Sequence, residues 1–201
     1  GSELTLRDRI PSGGMRPVSI TERHGLVFVV NAASPANVAG FRLAPDGHFE
    51  MMEGATAANV APLSGEAPAP AQVQLAHHGR ALIVTEKATN AIDVFRVDER
   101  GRLGERVTTQ AAGRTPFGFD LAGDDTLVIS EAASGTVSSY AVSPRRGASL
   151  LSGPISDTQA APCWVAVTRD GHLAFTANAG SSSVSSYEVD ARGRLNLRDA
   201  R

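Results

Sequence analysis

The chain has 201 residues, of which 42% are hydrophobic and 20% are charged, and its formal net charge at pH 7 is −2. This composition is ordinary for a globular protein and argues against a disordered chain. Basic residues are scattered, and no apolar stretch reaches about 18 residues, so we expect neither nucleic acid nor a membrane as a partner.

Residues with special chemistry are few. Cys163 is the one cysteine, so no disulfide can form within the chain. No Cys and His spacing suggests zinc, and no phosphate-binding Gly-rich loop, esterase or metalloprotease motif is present. We therefore predict neither a metal nor a cofactor. Gly1 and Ser2 resemble a cloning remnant, and the sequence assigns no cellular compartment.

One sequence pattern occurs four times along the chain. Each copy begins at a proline and continues with an apolar run, a turn, and a second apolar run that ends in Asn or Glu. A turn rich in small and polar residues, a third apolar run and a Gly-containing turn complete the copy. The copies begin at Pro17, Pro70, Pro116 and Pro162, with spacings of 53, 46 and 46 residues. Such a period is typical of radial or stacked repeat architectures.

The apolar runs are short, rich in β-branched and aromatic residues, and bounded by Gly, Asp, Asn and Ser, which indicates strands rather than helices. The chain opens with Glu3–Asp8, which resembles Arg194–Asp199 and is predicted as an outer strand of an additional blade. Four strands are predicted in each unit, and the units span residues 15–52, 69–108, 114–152 and 160–198. The insertion at 51–69, rich in Ala, Pro and Gly, is predicted as a surface loop.

The strands of the last three units are predicted individually, and His77–Gly79 is predicted as a turn with solvated side chains. The predicted strands are Ala71–Ala76, Ala81–Glu86, Ala91–Val97, Leu103–Thr108, Gly118–Leu121, Thr126–Glu131, Thr136–Val142, one near Leu150, Trp164–Val167, Leu173–Asn178, Ser183–Val189 and Leu195–Arg198. Four antiparallel strands in about 46 residues, repeated, predict an all-β fold built from the four-stranded antiparallel blades of a β-propeller.

The repeated sequence resembles a known family. A proline-led strand is followed by Val-Phe-Val-Val-Asn31, by Asn-Val-Ala-Gly-Phe41 and by Pro-Asp-Gly47, with counterparts at Leu82–Glu86 and Ala174–Asn178. This pattern is similar to that of the lactonase-type seven-bladed propellers, which include propeller-type 6-phosphogluconolactonases and carboxy-cis,cis-muconate cyclases. The resemblance implies either four blades of a larger propeller or a partial propeller that forms homo-oligomers through its open end blades.

Two columns of residues are expected side by side at the mouth of the propeller, where the first strand of each blade begins and the second strand ends. The first column is Val18 or Pro17, then Ala71, Phe117 and Cys163, with Arg16 and Arg114 just before it. The second column is Asn31, Glu86, Glu131 and Asn178.

The resemblance implies an active site with a His and an Arg in the first column and a Glu in the second. This chain keeps Glu86 and Glu131 as acid/base candidates, but Ala71, Phe117 and Cys163 occupy positions where His or Arg is expected. Arg114 and Arg16 are candidates for binding an anion, and Asn31 and Asn178 for binding a ligand or capping the next turn.

We therefore expect a lactonase-like propeller that binds a small anionic ligand or a protein at its mouth. The alternative is a hydrolase or cyclase of sugar or muconate lactones, in which Glu86 and Glu131 transfer protons.

Overall fold

Short runs of β-branched and aromatic residues, interrupted by Gly- and Asp-containing turns, fold as strands throughout the chain. The computed structural model describes residues 3–50, 52 and 59–200. Its strands, numbered in chain order, are β1 Pro17–Arg23, β2 Leu26–Asn31, β3 Asn37–Leu43, β4 Phe49–Glu50, β5 Asn59–Pro62, β6 Pro70–Ala76, β7 Ala81–Glu86, β8 Ala91–Val97, β9 Leu103–Gln110, β10 Pro116–Ala122, β11 Thr126–Glu131, β12 Thr136–Ser143, β13 Gly147–Ser156, β14 Pro162–Val167, β15 Leu173–Asn178, β16 Ser183–Val189 and β17 Leu195–Ala200.

The strands form four antiparallel sheets, which are the four predicted blades. Blade 1 contains β1 to β5, blade 2 contains β6 to β9, blade 3 contains β10 to β13, and blade 4 contains β14 to β17. In blades 2 to 4 the strands follow one another in chain order from the inner strand outward, whereas in blade 1 both β4 and β5 pair with β3. The inner strands β1, β6, β10 and β14 contact one another in succession. The fold is therefore an all-β partial propeller.

Predicted strand bounds agree closely with the structure. Five predicted strands are confirmed to the residue, and the other predicted strands extend by a few residues: the five are Ala81–Glu86, Ala91–Val97, Thr126–Glu131, Leu173–Asn178 and Ser183–Val189. His77–Gly79 forms a short 3₁₀ turn. No helix within the described ranges is long and apolar enough to cross a membrane.

The prediction that residues 51–69 form only a surface loop was wrong in part. Residues 51 and 53–58 lie outside the described residues, but Asn59–Pro62 forms β5 and pairs with β3 from Gly40 to Asn37. The two-residue β4 covers only the end of β3. The insertion therefore forms most of the outer edge of blade 1, since its strand β5 pairs through the backbone with β3.

The predicted outer strand at Glu3–Asp8 was also wrong, since residues 3–16 form no strand. This segment instead approaches the outward face of blade 1. Ile10 packs on a cluster that includes Val27, Val29 and Phe41. The Asp8 carboxylate accepts a hydrogen bond of 2.9 Å from the amide of Phe49. A strand needs the edge of a neighbouring strand for backbone pairing. This segment is held instead by the packing of Ile10 and by the hydrogen bond of Asp8.

Apolar side chains fill the spaces between successive blades. At equivalent positions of the second strand, Phe28, Ile83 and Val128 are fully buried, and each belongs to the cluster shared with the next blade. Side chains of the inner strands add hydrogen bonds between blades. The Ser19 hydroxyl accepts the Val73 amide at 3.1 Å, and the side chains of Gln72 and Asp120 play the same part in blades 2 and 3.

Blade 4 exposes the face that the other blades bury. Phe175, the equivalent of Phe28, is 36% exposed, and Val184, the equivalent of buried Val38, is 56% exposed. Trp164 on the inner strand is 54% exposed on the same face. A contiguous apolar face of this kind favours contact with another protein surface.

We predict that the chain self-associates through this face at micromolar concentration. Replacing both Phe175 and Val184 with Lys places two charges on the face, so the sedimentation coefficient should fall toward that of a single 20.9 kDa chain. Leu150→Lys, at an exposed position of an outer strand, is the control and should leave sedimentation unchanged. A wild-type chain that sediments as a monomer would contradict the prediction.

Candidate ligand-binding mouth

In every blade the residue directly before the predicted first-column position pairs with the second-column residue. The proline that begins each inner strand pairs with the last residue of the second strand, giving Pro17 with Asn31, Pro70 with Glu86, Pro116 with Glu131 and Pro162 with Asn178. The residue before each proline has a left-handed φ, at 60° for Arg16, 49° for Ala69, 60° for Thr115 and 53° for Ala161. This conformation is costly for residues other than glycine, and its repetition shows that the crossover between blades has one required geometry.

Glu131 lies beneath the crossover that enters blade 3. Its carboxylate is fully buried and accepts hydrogen bonds from the amide of Gly113 at 2.7 Å, the hydroxyl of Thr136 at 2.6 Å and the hydroxyl of Ser138 at 2.9 Å. The Tyr140 hydroxyl is 3.4 Å from the same carboxylate. Burial, and then the negative charge of Glu131, raise the pKa of Tyr140 to about 12. Glu131 is thus the centre of a polar network that holds the crossover.

Gly113 is required by this arrangement. A Cβ atom at this position would collide with the carboxylate of Glu131 and would also crowd the Ser134 hydroxyl. The close approach of the crossover backbone to the buried carboxylate therefore depends on the absence of a side chain.

Glu86 makes the corresponding contacts at the crossover into blade 2. It is fully buried, and its carboxylate accepts hydrogen bonds from the Ser64 amide at 2.9 Å and from the Thr89 hydroxyl at 2.5 Å. The Ser64 hydroxyl also donates to it. Glu86 therefore holds the end of the insertion, at Ser64, against blade 2 through hydrogen bonds.

The two asparagines of the second column are buried as well. The Asn31 amide donates to the Ser12 carbonyl and to the Asn37 side chain, both at 3.0 Å. The Asn178 amide donates to the hydroxyls of Ser183 at 3.1 Å and Ser185 at 2.8 Å. The structure therefore places all four second-column side chains under the crossovers and turns, with their polar atoms bonded within the protein.

The two arginines lie on the surface of the same rim. Arg16 and Arg114 are both exposed, and neither guanidinium pairs with a carboxylate among the residues that the structure describes. They are not equivalent in the repeat. The Arg16 carbonyl accepts the Ala32 amide, whereas the corresponding bond in blade 3 goes to Thr115. Arg114 thus lies one residue earlier in its crossover than Arg16.

Sequence reasoning missed a third cation at this rim. Lys87 is half-buried, and its ammonium lies 5.0 Å from the centroid of the Phe117 ring, a cation–π contact. The Phe117 ring is in turn 5.3 Å from the ring of Trp164, edge to face. The sequence feature that could have indicated this cation is the position of Lys87 immediately after the strand that ends in Glu86.

Beside these rings a cavity of about 600 Å³ opens on blade 4, and its lining includes Phe117, Cys163, Trp164 and Asn178. Cys163 is a free, partly buried thiol. In the described part of the chain, no three His, Cys, Asp or Glu side chains are grouped in a way that could hold a metal ion. The rim therefore combines cations and aromatic rings above buried carboxylates.

Comparison with known proteins assigns the family. The model of the lactonase family of seven-bladed β-propellers matches residues 7–148 and 128–200. The chain belongs to this family. A search of curated proteins found no match.

Solved structures show the same fold at low sequence identity. The periplasmic gluconolactonase of Pseudomonas aeruginosa is 16% identical with a TM-score of 0.72, over 92% of this chain and 53% of that one. A candidate 6-phosphogluconolactonase from Bacteroides fragilis is 14% identical with a TM-score of 0.75, over 90% and 56%. A Lactobacillus plantarum protein is 19% identical with a TM-score of 0.73, over 92% and 55%. The chain thus spans little more than half the length of these proteins.

We predict that Glu131→Ala lowers the free energy of unfolding by about 3 kcal/mol, because the Gly113 amide and two hydroxyls lose a charged acceptor. Urea denaturation followed by circular dichroism measures this change. Glu131→Gln, which keeps one acceptor oxygen, should lose less. Glu105→Gln on an exposed strand position is the control, and an equal loss there would contradict the structural role of Glu131.

Proposed function

We propose that this rim binds a small anionic ligand, with Arg16 and Arg114 as the cations that hold it and Lys87 beside them. The observation that carries this proposal is the separation of charges. The carboxylates of Glu86 and Glu131 are fully buried and bonded, while the arginines are exposed with no described carboxylate partner.

An exposed guanidinium favours carboxylate or phosphate, because its planar set of N–H donors matches the oxygens of these groups. Because Glu86 and Glu131 are buried, the exposed arginines remain available to attract anions from solution, although Glu66 is also exposed in the crossover into blade 2. A sugar acid carries a carboxylate, and a phosphorylated sugar lactone carries a phosphate. The names of the similar proteins, gluconolactonase and 6-phosphogluconolactonase, support a ligand of this class.

A second candidate function is hydrolysis or cyclisation of lactones, which the lactonase family match supports. In this mechanism Glu86 and Glu131 would transfer protons. A general acid or base must reach the reacting atoms, within hydrogen-bond distance or through one water. Both carboxylates are turned into the protein and their oxygens are occupied by Ser64, Thr89, Gly113, Thr136 and Ser138. The geometry therefore favours the binding proposal for this part of the propeller.

Calorimetric titration with 6-phosphogluconate and with gluconate tests the binding proposal. We expect Arg16→Ala and Arg114→Ala each to weaken binding of 6-phosphogluconate by roughly tenfold, about 1.4 kcal/mol. Binding should also weaken as salt is raised, since exposed charges are screened.

Arg145→Ala is the matched control, because this exposed arginine lies after β12 at the opposite rim. Its affinity should equal that of the wild type. Equal losses in all three variants, or no binding by the wild type, would count against the proposal.

For the alternative, hydrolysis of gluconolactone and 6-phosphogluconolactone is measured in the wild type and in Glu86→Gln and Glu131→Gln variants whose folding is verified by circular dichroism. The binding proposal expects no hydrolysis above the spontaneous rate. Turnover that both folded variants lose would establish the alternative instead.

A further inference from the structure

Blade 2 contains a second buried carboxyl group, Asp93, on the third strand. The corresponding position in blade 3 is Ser138, whose hydroxyl donates to Glu131 at 2.9 Å. In blade 4 it is Ser185, which accepts a hydrogen bond of 2.8 Å from Asn178. Blades 3 and 4 therefore place a polar side chain of the third strand against the second-column residue, and in blade 2 the residues at both positions are acids.

The pairing register brings the two carboxyl groups to the same face of blade 2. Glu86 is opposite Ala91 and Val84 is opposite Asp93, so Glu86 and Asp93 are diagonal neighbours. Both side chains are fully buried. Two carboxylates cannot both be ionised at such a contact without a large repulsion, whereas a carboxylic acid can donate its proton to a carboxylate.

The other groups around Asp93 leave room for this donation. The Thr108 hydroxyl donates to one Asp93 oxygen at 2.6 Å, and the second oxygen has no hydrogen-bond partner among the residues that the structure describes. Arg106 is the cation that lies nearby in the described part of the chain, with Nε 3.5 Å from that second oxygen. Another nitrogen of Arg106 donates to the Pro62 carbonyl at 2.7 Å. Burial first, opposed by the Thr108 hydrogen bond, and then the charge of Glu86 raise the pKa of Asp93 to about 7.

We propose that Asp93 carries a proton in the folded protein below neutral pH and donates it to Glu86, which makes the pair a pH-sensitive lock on the crossover at Ser64. Glu86 accepts both the amide and the hydroxyl of Ser64. When Asp93 loses its proton, repulsion between the carboxylates displaces Glu86 and weakens these bonds. The lock is independent of any ligand at the mouth.

The direction of the pH effect follows from the pKa of Asp93, which rises on folding from 3.8 to about 7. Below the lower value both the folded and the unfolded chain hold the proton. As the pH rises from there to about 7, only the folded chain holds it, so the stability contributed by the pair is lost progressively. Above the higher value the loss is complete and no further change is expected.

Asp93→Asn tests the proposal, because the amide has the shape of the acid, can donate to Glu86 and does not titrate. Melting temperatures of wild type and variant are compared between pH 4.5 and 8.5. We expect the melting temperature of the wild type to fall relative to that of the variant as the pH rises, and the difference to level off above about 7. Asp93→Ser, which copies blade 3, is a second variant that should give the same pH trend.

Amide hydrogen exchange tests the lock at the crossover itself. After correction for the intrinsic rate, protection of the Ser64 amide should fall by roughly tenfold between pH 6 and pH 8. The Gly113 amide, which bonds to Glu131 with no second acid on blade 3 at the Asp93 position, is an internal control and should keep its protection. In Asp93→Asn both amides should stay protected.

Ser138→Asp transfers the acid pair to blade 3 and should make Gly113 protection depend on pH. The proposal is overturned if the melting temperatures of wild type and Asp93→Asn differ by the same amount at every pH. It is overturned equally if the Ser64 and Gly113 amides of the wild type respond alike.

Discussion

The arrangement of blades 1 to 3 depends on one recurring interaction, in which a buried polar residue at the end of the second strand bonds to the segment that leads into the blade. A crossover brings backbone amides to a place that water does not reach, and each unpaired amide there is costly. Glu131 and Glu86 meet this need by accepting the Gly113 and Ser64 amides, and Asn31 donates instead to the Ser12 carbonyl. The left-handed residue before each proline is tolerated because these contacts define the path of the chain around it.

This constraint also explains the chemistry of the rim. Glu86 and Glu131 are fully buried and bonded within the protein, so they do not pair with the exposed Arg16 and Arg114. The same contacts hold the crossovers into blades 2 and 3. In blade 2 a second buried acid, Asp93, is the diagonal neighbour of Glu86, and burial raises the pKa of Asp93 to about 7.

The blades themselves are held by alternation of apolar residues. One face of each sheet packs on the next blade, and the same positions that are buried in blades 1 to 3 are exposed in blade 4. Trp164, Phe175 and Val184 therefore mark a face suited to another protein surface. The family to which the chain belongs is named for seven blades, and the chain spans little more than half of the solved propellers it resembles.

The sequence by itself determined the repeat, the strands and the adjacency of the two columns, because local alternation of apolar residues and turn chemistry specify these features. It did not reveal that Asn59–Pro62 completes blade 1 or that residues 3–16 form no strand, since both depend on which edge or face of blade 1 is left open. Only the tertiary structure decided the roles of Glu86 and Glu131. A carboxylate at the end of a strand faces either the solvent or a crossover, depending on the path of a segment about 20 residues away in the chain. Ser64 lies at about this distance from Glu86, and Gly113 from Glu131.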